Sequence, residues 1–355
     1  MTAAATRGAS ADSSNLDVLR AIAVLLVLLD HVVEMTGDKL NRVFHPYDWY
    51  CGRLGVLLFF VHTSLVLMYS LERMHASGPR LIQRFYLRRL FRIYPLSIVT
   101  VLLVVLLRVP SLPWREFMWM GLPNLASNLA LTMNLTYSRP VLSPLWSLPL
   151  EVQMYVVLPF AYLLVRPRGV MMALGLWVVA VLAALAQPHV IGRLSVAEFG
   201  PCFMGGVIAW ALQRRLAPRF PSALWPFVVL ALVGIYVLAE QASPGMHPPP
   251  LAWGLGLGLG LAIPLFHNIP AGTLQRASHL VAKYSYGIYL MHCVALWMGF
   301  YLLAGAHPVL QSVVFAVLLV SLSVGSYHLL EEPLMQYGRR LSDGGVAIRP
   351  GTAAR

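Results

Sequence analysis

The sequence predicts an all-α protein, a polytopic transmembrane helical bundle of about ten spans with both termini on the cytoplasmic side. Three observations predict it. First, of 355 residues 58% are hydrophobic and 11% charged, with mean hydropathy +0.70, whereas soluble domains carry roughly 25% charged residues. A chain so poor in charge cannot cover a water-facing surface, so lipid must be its main solvent. Second, apolar runs of about 17 to 25 residues recur along the chain, the length a helix needs to cross a bilayer. A lipid-spanning barrel would instead show strands of about 10 residues with strict alternation. Third, nineteen of the 26 Lys and Arg fall on one set of alternating connections and seven on the other, the asymmetry of the positive-inside rule.

In chain order, residues 1–14 (MTAAATRGASADSS) are small and polar and predict a disordered tail. Spans follow near 16–36, 54–72, 92–109, 147–165, 170–187, 196–213, 223–240, 250–268, 284–304 and 309–330. The first has no small-residue cleavage site and is followed by more spans, so it reads as a span and not as a cleaved leader. The stretch 114–135 is broken by Gly121, Pro123 and several Asn, which predicts a re-entrant or interfacial segment; a true crossing there would invert everything downstream. The LGLGLG run at 255–260 lies in an apolar span, where close helix packing explains it better than phosphate binding. Residues 336–355 form a basic cytoplasmic tail expected to lie along the anionic inner leaflet.

The net charge of +12 belongs to these inner loops, so no nucleic-acid partner is expected. Cys51, Cys202 and Cys293 are too far apart for a disulfide framework or a metal motif. They read as small apolar residues, and no metal is expected. A homo-oligomer is compatible with the sequence, which has no motif that decides it.

Ionisable side chains inside a span are costly and therefore functional candidates. The first span, LDVLRAIAVLLVLLDH, holds Arg20 and His31. Eleven residues are about three turns, so both project from one face roughly 16 Å apart along the axis. An imidazole within the membrane with a guanidinium at the inner end is one reading; a snorkelling Arg and a packed His is the other. In RFYLRRLFRIYPL (84–96), Arg84, Arg88, Arg89 and Arg92 enter the third span. They either anchor topology or seat a polyphosphate, since guanidinium forks onto phosphate oxygens. Glu151, near the outer end of the fourth span, is expected at a depth similar to that of His31. KYSYGIYLMH (283–292) puts tyrosine hydroxyls and His292 into the ninth span, and LLEEPL (329–334) ends the last one beside basic residues.

These blocks in this order resemble the acyltransferase type 3 family of membrane proteins, over roughly residues 15–335. The matches are a basic residue, ten residues and a His (Arg20, His31), RRLFRIYP at 88–95, WSLPLEVQMY at 146–155, SYGIYLMH at 285–292, and a terminal Glu-Pro. In FFVHTSL (59–65), Ser64 replaces a family glycine and His62 is new; Val152 stands after Glu151, where the family often has a second Glu.

The resemblance implies a multi-pass protein of a bacterial-type inner membrane. It implies transfer of an acyl group, usually acetyl, from acetyl-CoA or another acyl-CoA to a hydroxyl of a surface polysaccharide or glycolipid. His31, Glu151 and Arg20 would be catalytic, and Arg84, Arg88, Arg89 and Arg92 would bind the nucleotide end of CoA. Tyr286, His292 and Trp146 would bind substrate, with Tyr286 or His292 on the oxyanion and Glu151 orienting an imidazole; His62, a departure from the family pattern, is expected to line the substrate pocket as well. The rival readings are acylation of a small molecule such as a macrolide, and a transporter or flippase.

Overall fold

The computed structural model describes residues 13–36, 48–74, 76–110, 117–190, 195–242 and 249–343. Of the expected N-terminal tail only its last two residues are among them. The helices are α1 (Ser14–Thr36), α2 (Asp48–Arg73), α3 (Gly78–Leu107), α4 (Gly121–Leu129), α5 (Met133–Thr136), α6 (Leu148–Arg168), α7 (Val170–Val190), α8 (Val196–Gln213), α9 (Trp225–Ala242), α10 (Pro249–Ala262), α11 (Thr273–Leu296), α12 (Pro308–Ser326) and α13 (Glu332–Ser342). No strand occurs among the described residues; one isolated bridge joins Phe220 to Phe266.

A helix overlaps each of the ten expected spans. Among the described residues, six helical stretches are long and apolar enough to cross a membrane: Cys51–Arg73, Gly78–Leu107, Ser143–Arg168, Val170–His189, Ser222–Glu240 and Pro308–Ser342. The chain is therefore a multi-pass helical membrane protein. The helices outside that set explain themselves by position. α1 carries Asp17, Arg20, Asp30 and Glu34, and α8 is interrupted by Gly200, Pro201, Gly205 and Gly206. Both can give up apolar residues because their neighbours shield them: every residue of Phe199–Ala211 in α8 is buried. By contrast Leu182, Leu238 and Val317, on α7, α9 and α12, are each about 60% exposed, as lipid-facing side chains should be.

Packing inside lipid gains little from the hydrophobic effect and depends on close contact of small residues. The α8–α10 crossing shows this. A Cβ on Gly205 would lie 2.2 Å from the Gly256 carbonyl oxygen, and one on Gly260 would lie 2.2 Å from that of Gly205. The Gly-rich run at 255–260 is thus a helix-packing face. On its other side α8 meets α2, where Ser64 donates to the Phe60 and Val61 carbonyls. A Cβ on Gly206 would lie 2.1 Å from the Ser64 Oγ. Ser64 is accommodated by a glycine across the interface.

Pairwise contacts give the relative directions. α1 and α11 run parallel, since Asp17 meets His279, Arg20 meets Ser285 and His31 meets His292. α2 runs antiparallel to α1, with Gly52 against Asp30 and Gly55 against Ala23 and Val27. α2 and α8 are parallel, linked by Arg53–Glu198 near one end and by Trp210 Nε1–H donating to Glu72 near the other.

Three boundaries differ from the sequence reading. α3 begins at Gly78, not near 92: Pro79 at its start and a run of Arg, Gln and Leu favour helix where hydropathy gives no signal. At 30 residues it is about 45 Å long, longer than the hydrocarbon layer. α11 begins at Thr273 rather than 284, for the same reason. The tail after residue 331 continues as α13 and docks on α3, with Gly338 against Phe91 and the Phe91 and Tyr337 rings 5.4 Å apart. In 117–135 the chain forms only α4 and α5, of nine and four residues, too short to cross a bilayer.

Candidate active site

The site is built on two levels along the parallel pair α1 and α11. At the first, Arg20 Nε–H donates to Ser285 Oγ at 2.6 Å. A small cavity opens beside it, lined by Arg20, Phe59, Thr63, Glu151, Ser285, Tyr286 and Tyr289 among others. Glu151 sits in the first turn of α6, where its carboxylate suits the positive end of the helix dipole, and Tyr155 one turn on donates to it. Arg20, Arg89 and Arg92 are all within electrostatic reach of Glu151.

This corrects the expected depth of Glu151. The buried 3₁₀ turn Ser143–Ser147 carries the chain into the bundle before α6 starts, so position 151 stands level with Ser285 and Tyr286. The carboxylate therefore belongs to the arginines and does not orient His31.

Arg92 lies 5.2 Å from the Tyr286 ring centroid and forms an ion pair with Glu331, whose side chain is 1% exposed. Glu331 is presented by a π-helical turn, Tyr327–Glu331, between α12 and α13. Such turns mark functional sites in many helices. The Nε of Arg89 and the Oε1 of Glu331 are buried with no hydrogen-bond partner. The cluster thus has three guanidinium groups, two carboxylates and two unfilled polar atoms.

Two of the four clustered arginines already have carboxylate partners. Arg88 reaches Ser342 at 2.9 Å and holds both oxygens of Asp343, at 2.7 and 3.0 Å, while Arg92 holds Glu331. Arg89 stands over Phe85. Arg84, one turn before Arg88, is half-buried.

At the second level the rings of His31 and His292 meet edge to face, centroids 4.9 Å apart. His31 Nδ1 is 2.9 Å from the Val27 carbonyl and His292 Nδ1 is 3.1 Å from that of Ile288. A carbonyl oxygen only accepts, so each Nδ1 carries the proton and each Nε2 presents a lone pair. The Cys293 thiol lies 3.4 Å from His292 Nε2 and can donate to it. Between the levels stands Tyr289. Its hydroxyl donates to the Pro144 carbonyl and accepts from Ser147, and its ring is 6.2 Å from that of His292. The lining of the Arg20 cavity includes Tyr289 but neither imidazole.

The remaining residues fall around this core. Tyr286 lines the cavity, yet its hydroxyl donates to the Ile93 carbonyl, and His292 offers a lone pair where an oxyanion would need a donor. Neither is free for the oxyanion role. His62 is buried within electrostatic reach of Arg20 but is not part of the cavity lining. Trp146 packs on Phe199 and faces a separate open groove with Asn134, Tyr137 and Ser138.

Sequence reasoning did not pair Ser285, Tyr155 or Tyr289 with these groups, and it left the LLEEPL glutamates between catalysis and ion pairing with inner basic residues, without naming Arg92 as the partner of Glu331. Tyr155 alone had a local signal, its i, i+4 spacing from Glu151; the others meet only across helices.

A family model described as an acyltransferase domain matches residues 13–328, a range that holds the residues of both levels except Glu331. No curated protein and no solved structure matches the chain.

Proposed function

Since the chain belongs to the acyltransferase type 3 family, matched over residues 13–328 of 355, we propose that it transfers an acyl group, acetyl in the first instance, from cytoplasmic acyl-CoA to a hydroxyl of a surface or exported glycan. One observation carries this reading. His31 is held by Val27 in the tautomer that leaves Nε2 basic, on the same helix face as Arg20 three turns away, with a cavity lined by Arg20 and Glu151 at the Arg20 level.

In the proposed reaction the acceptor oxygen bonds to the thioester carbonyl carbon while its proton passes to His31 Nε2. The tetrahedral intermediate collapses with loss of the C–S bond, and the departing thiolate recovers the proton. The excess positive charge of Arg20, Arg89 and Arg92 over Glu151 and Glu331 favours the polyanionic end of CoA at the arginine level. The pantetheine arm has about the length of the three turns between Arg20 and His31, and its path would pass Tyr289. The groove at Trp146 and Tyr137 offers aromatic faces beside an amide and hydroxyls, a lining that suits a sugar acceptor.

The test is thiol release from acetyl-CoA by purified protein. His31→Ala should abolish transfer while the protein remains membrane-inserted; full activity in verified, inserted His31→Ala would overturn the base assignment. Arg88→Ala and Arg92→Ala should each weaken acyl-CoA binding, and unchanged affinity in both would leave those arginines as structural ion pairs. The acceptor class is tested by mass spectrometry of surface glycans from a deletion strain, which should lack an acyl mass.

A further inference from the structure

We propose that His31, His292 and Cys293 form a binding site for a thiophilic metal ion, with zinc as the ion to be tried first. One ligand atom from each residue can be chosen so that all three lie within 4.8 Å of one another. Both imidazoles donate Nδ1–H to a backbone carbonyl, the second contact that metal-ligating histidines nearly always make. It fixes the ring and turns Nε2 toward the metal. The third ligand is a sulfur 3.4 Å from His292 Nε2.

The donor set selects the ion. Two imidazole nitrogens and one sulfur suit Zn²⁺ or Cu⁺, whereas Mg²⁺ and Ca²⁺ take oxygen ligands. Bonds of about 2.0–2.1 Å to nitrogen and 2.3 Å to sulfur in a tetrahedron require ligand atoms roughly 3.3–3.8 Å apart. Atoms within 4.8 Å of one another must therefore close by up to about 1.5 Å on binding. His31 and Cys293 are only partly buried, so an ion has a way in. Three protein ligands leave a fourth tetrahedral position for water or for the carboxylate of Glu34, which is within electrostatic reach of Cys293. On binding, the thiol loses its proton to solvent and a Zn–S bond replaces S–H.

This site was invisible to sequence spacing because His31 and His292 lie on different helices, 261 positions apart in the chain. The site itself stands on geometry alone. One consequence rests on the base assignment made above: zinc on His31 Nε2 takes the lone pair that would accept the acceptor's proton, so zinc inhibits transfer.

The experiment uses full-length protein in detergent, stripped with chelator and dialysed against buffered Zn²⁺, with uptake read by elemental analysis. One zinc per chain is expected. Cys293→Ala and His292→Ala should each weaken binding by about 100-fold, at least the loss seen on removing an outer-shell partner, while Cys202→Ala should bind as wild type. Co²⁺ serves as a spectroscopic probe: a sulfur-to-cobalt charge-transfer band and intense tetrahedral d–d bands are expected, and both should vanish in Cys293→Ala. Stoichiometric uptake unchanged by both ligand substitutions, no uptake, or a weak octahedral cobalt spectrum would each overturn the site. Inhibition is measured separately. Zinc that binds as described without slowing transfer would sink the role of His31 as base and leave the metal site standing.

Discussion

The block formed by α2, α8 and α10 and the seam where α1, α11, α3, the start of α6 and the π-turn Tyr327–Glu331 meet are both buried, yet they are buried in opposite ways. In the block, backbone meets backbone across Gly205, Gly206, Gly256 and Gly260. In the seam, Arg20, Arg92, Glu151, Glu331, His31 and His292 fill the interior with groups that lipid would penalise heavily. Small residues are what helix association in a membrane needs, and the close approach of α8 to α10 and α2 rests on them. Charged residues oppose it, so the seam has to be held together by its neighbours. The contrast separates scaffold from site without reference to any ligand.

The sharpest way to break the comparison is to substitute one residue in each region. Gly206→Val should abolish the folded protein, because even its Cβ would stand 2.2 Å from the Val61 carbonyl oxygen. Adding Ser64→Gly should not rescue it, since that backbone oxygen stays in place. His31→Ala should do the reverse: a normal elution profile and melting temperature, with transfer reduced by about 10²–10⁴-fold, the usual worth of a positioned base. If Gly206→Val folds and works, the block is not the rigid half of the molecule.

A second pair of substitutions compares ion pairs. Glu331→Ala leaves the Arg92 cation without its carboxylate in the interior and should cost about 3–5 kcal/mol, read as a large fall in melting temperature. Glu198→Gln breaks the Arg53–Glu198 contact, 3.3 Å long with both side chains more than a fifth exposed, and should cost about 1 kcal/mol or less. Equal losses would mean that the seam is no more dependent on its charges than the periphery.

The same contrast decides what the sequence could reveal. Helices were legible wherever lipid-facing residues had to be apolar, as in α7, α9 and α12. Their ends were not legible where Arg, Gln, Lys and Ser continue a helix past the hydrocarbon region, as at the starts of α3 and α11. Within the site, Arg20 and His31 could be placed on one face because a single helix carries both. Glu151 was placed at the wrong depth because the 3₁₀ turn at Ser143–Ser147 has no hydropathy signature. Contacts such as Arg20–Ser285, Arg88–Asp343 and His31–His292 span more than 250 residues, and no local spacing encodes them.

The smallest expected effect concerns the rim of the seam, where Arg88 is shared between two claims. In the structure its Nη2 donates to both carboxylate oxygens of Asp343, whose side chain is 48% exposed. In the proposed reaction that guanidinium edge faces a phosphate of CoA. A carboxylate and a phosphate cannot both hold it, so Asp343 acts as an internal competitor that acyl-CoA must displace. An exposed pair of this kind is worth at most about 1 kcal/mol, so Asp343→Asn should lower the KM for acyl-CoA about two- to fivefold, leave kcat unchanged and barely move the melting temperature. In an Arg88→Ala background the same substitution should have no effect on KM. A KM that rises with Asp343→Asn would mean that the carboxylate positions Arg88 for the phosphate instead of competing with it, and the seam would then be preorganised out to its rim.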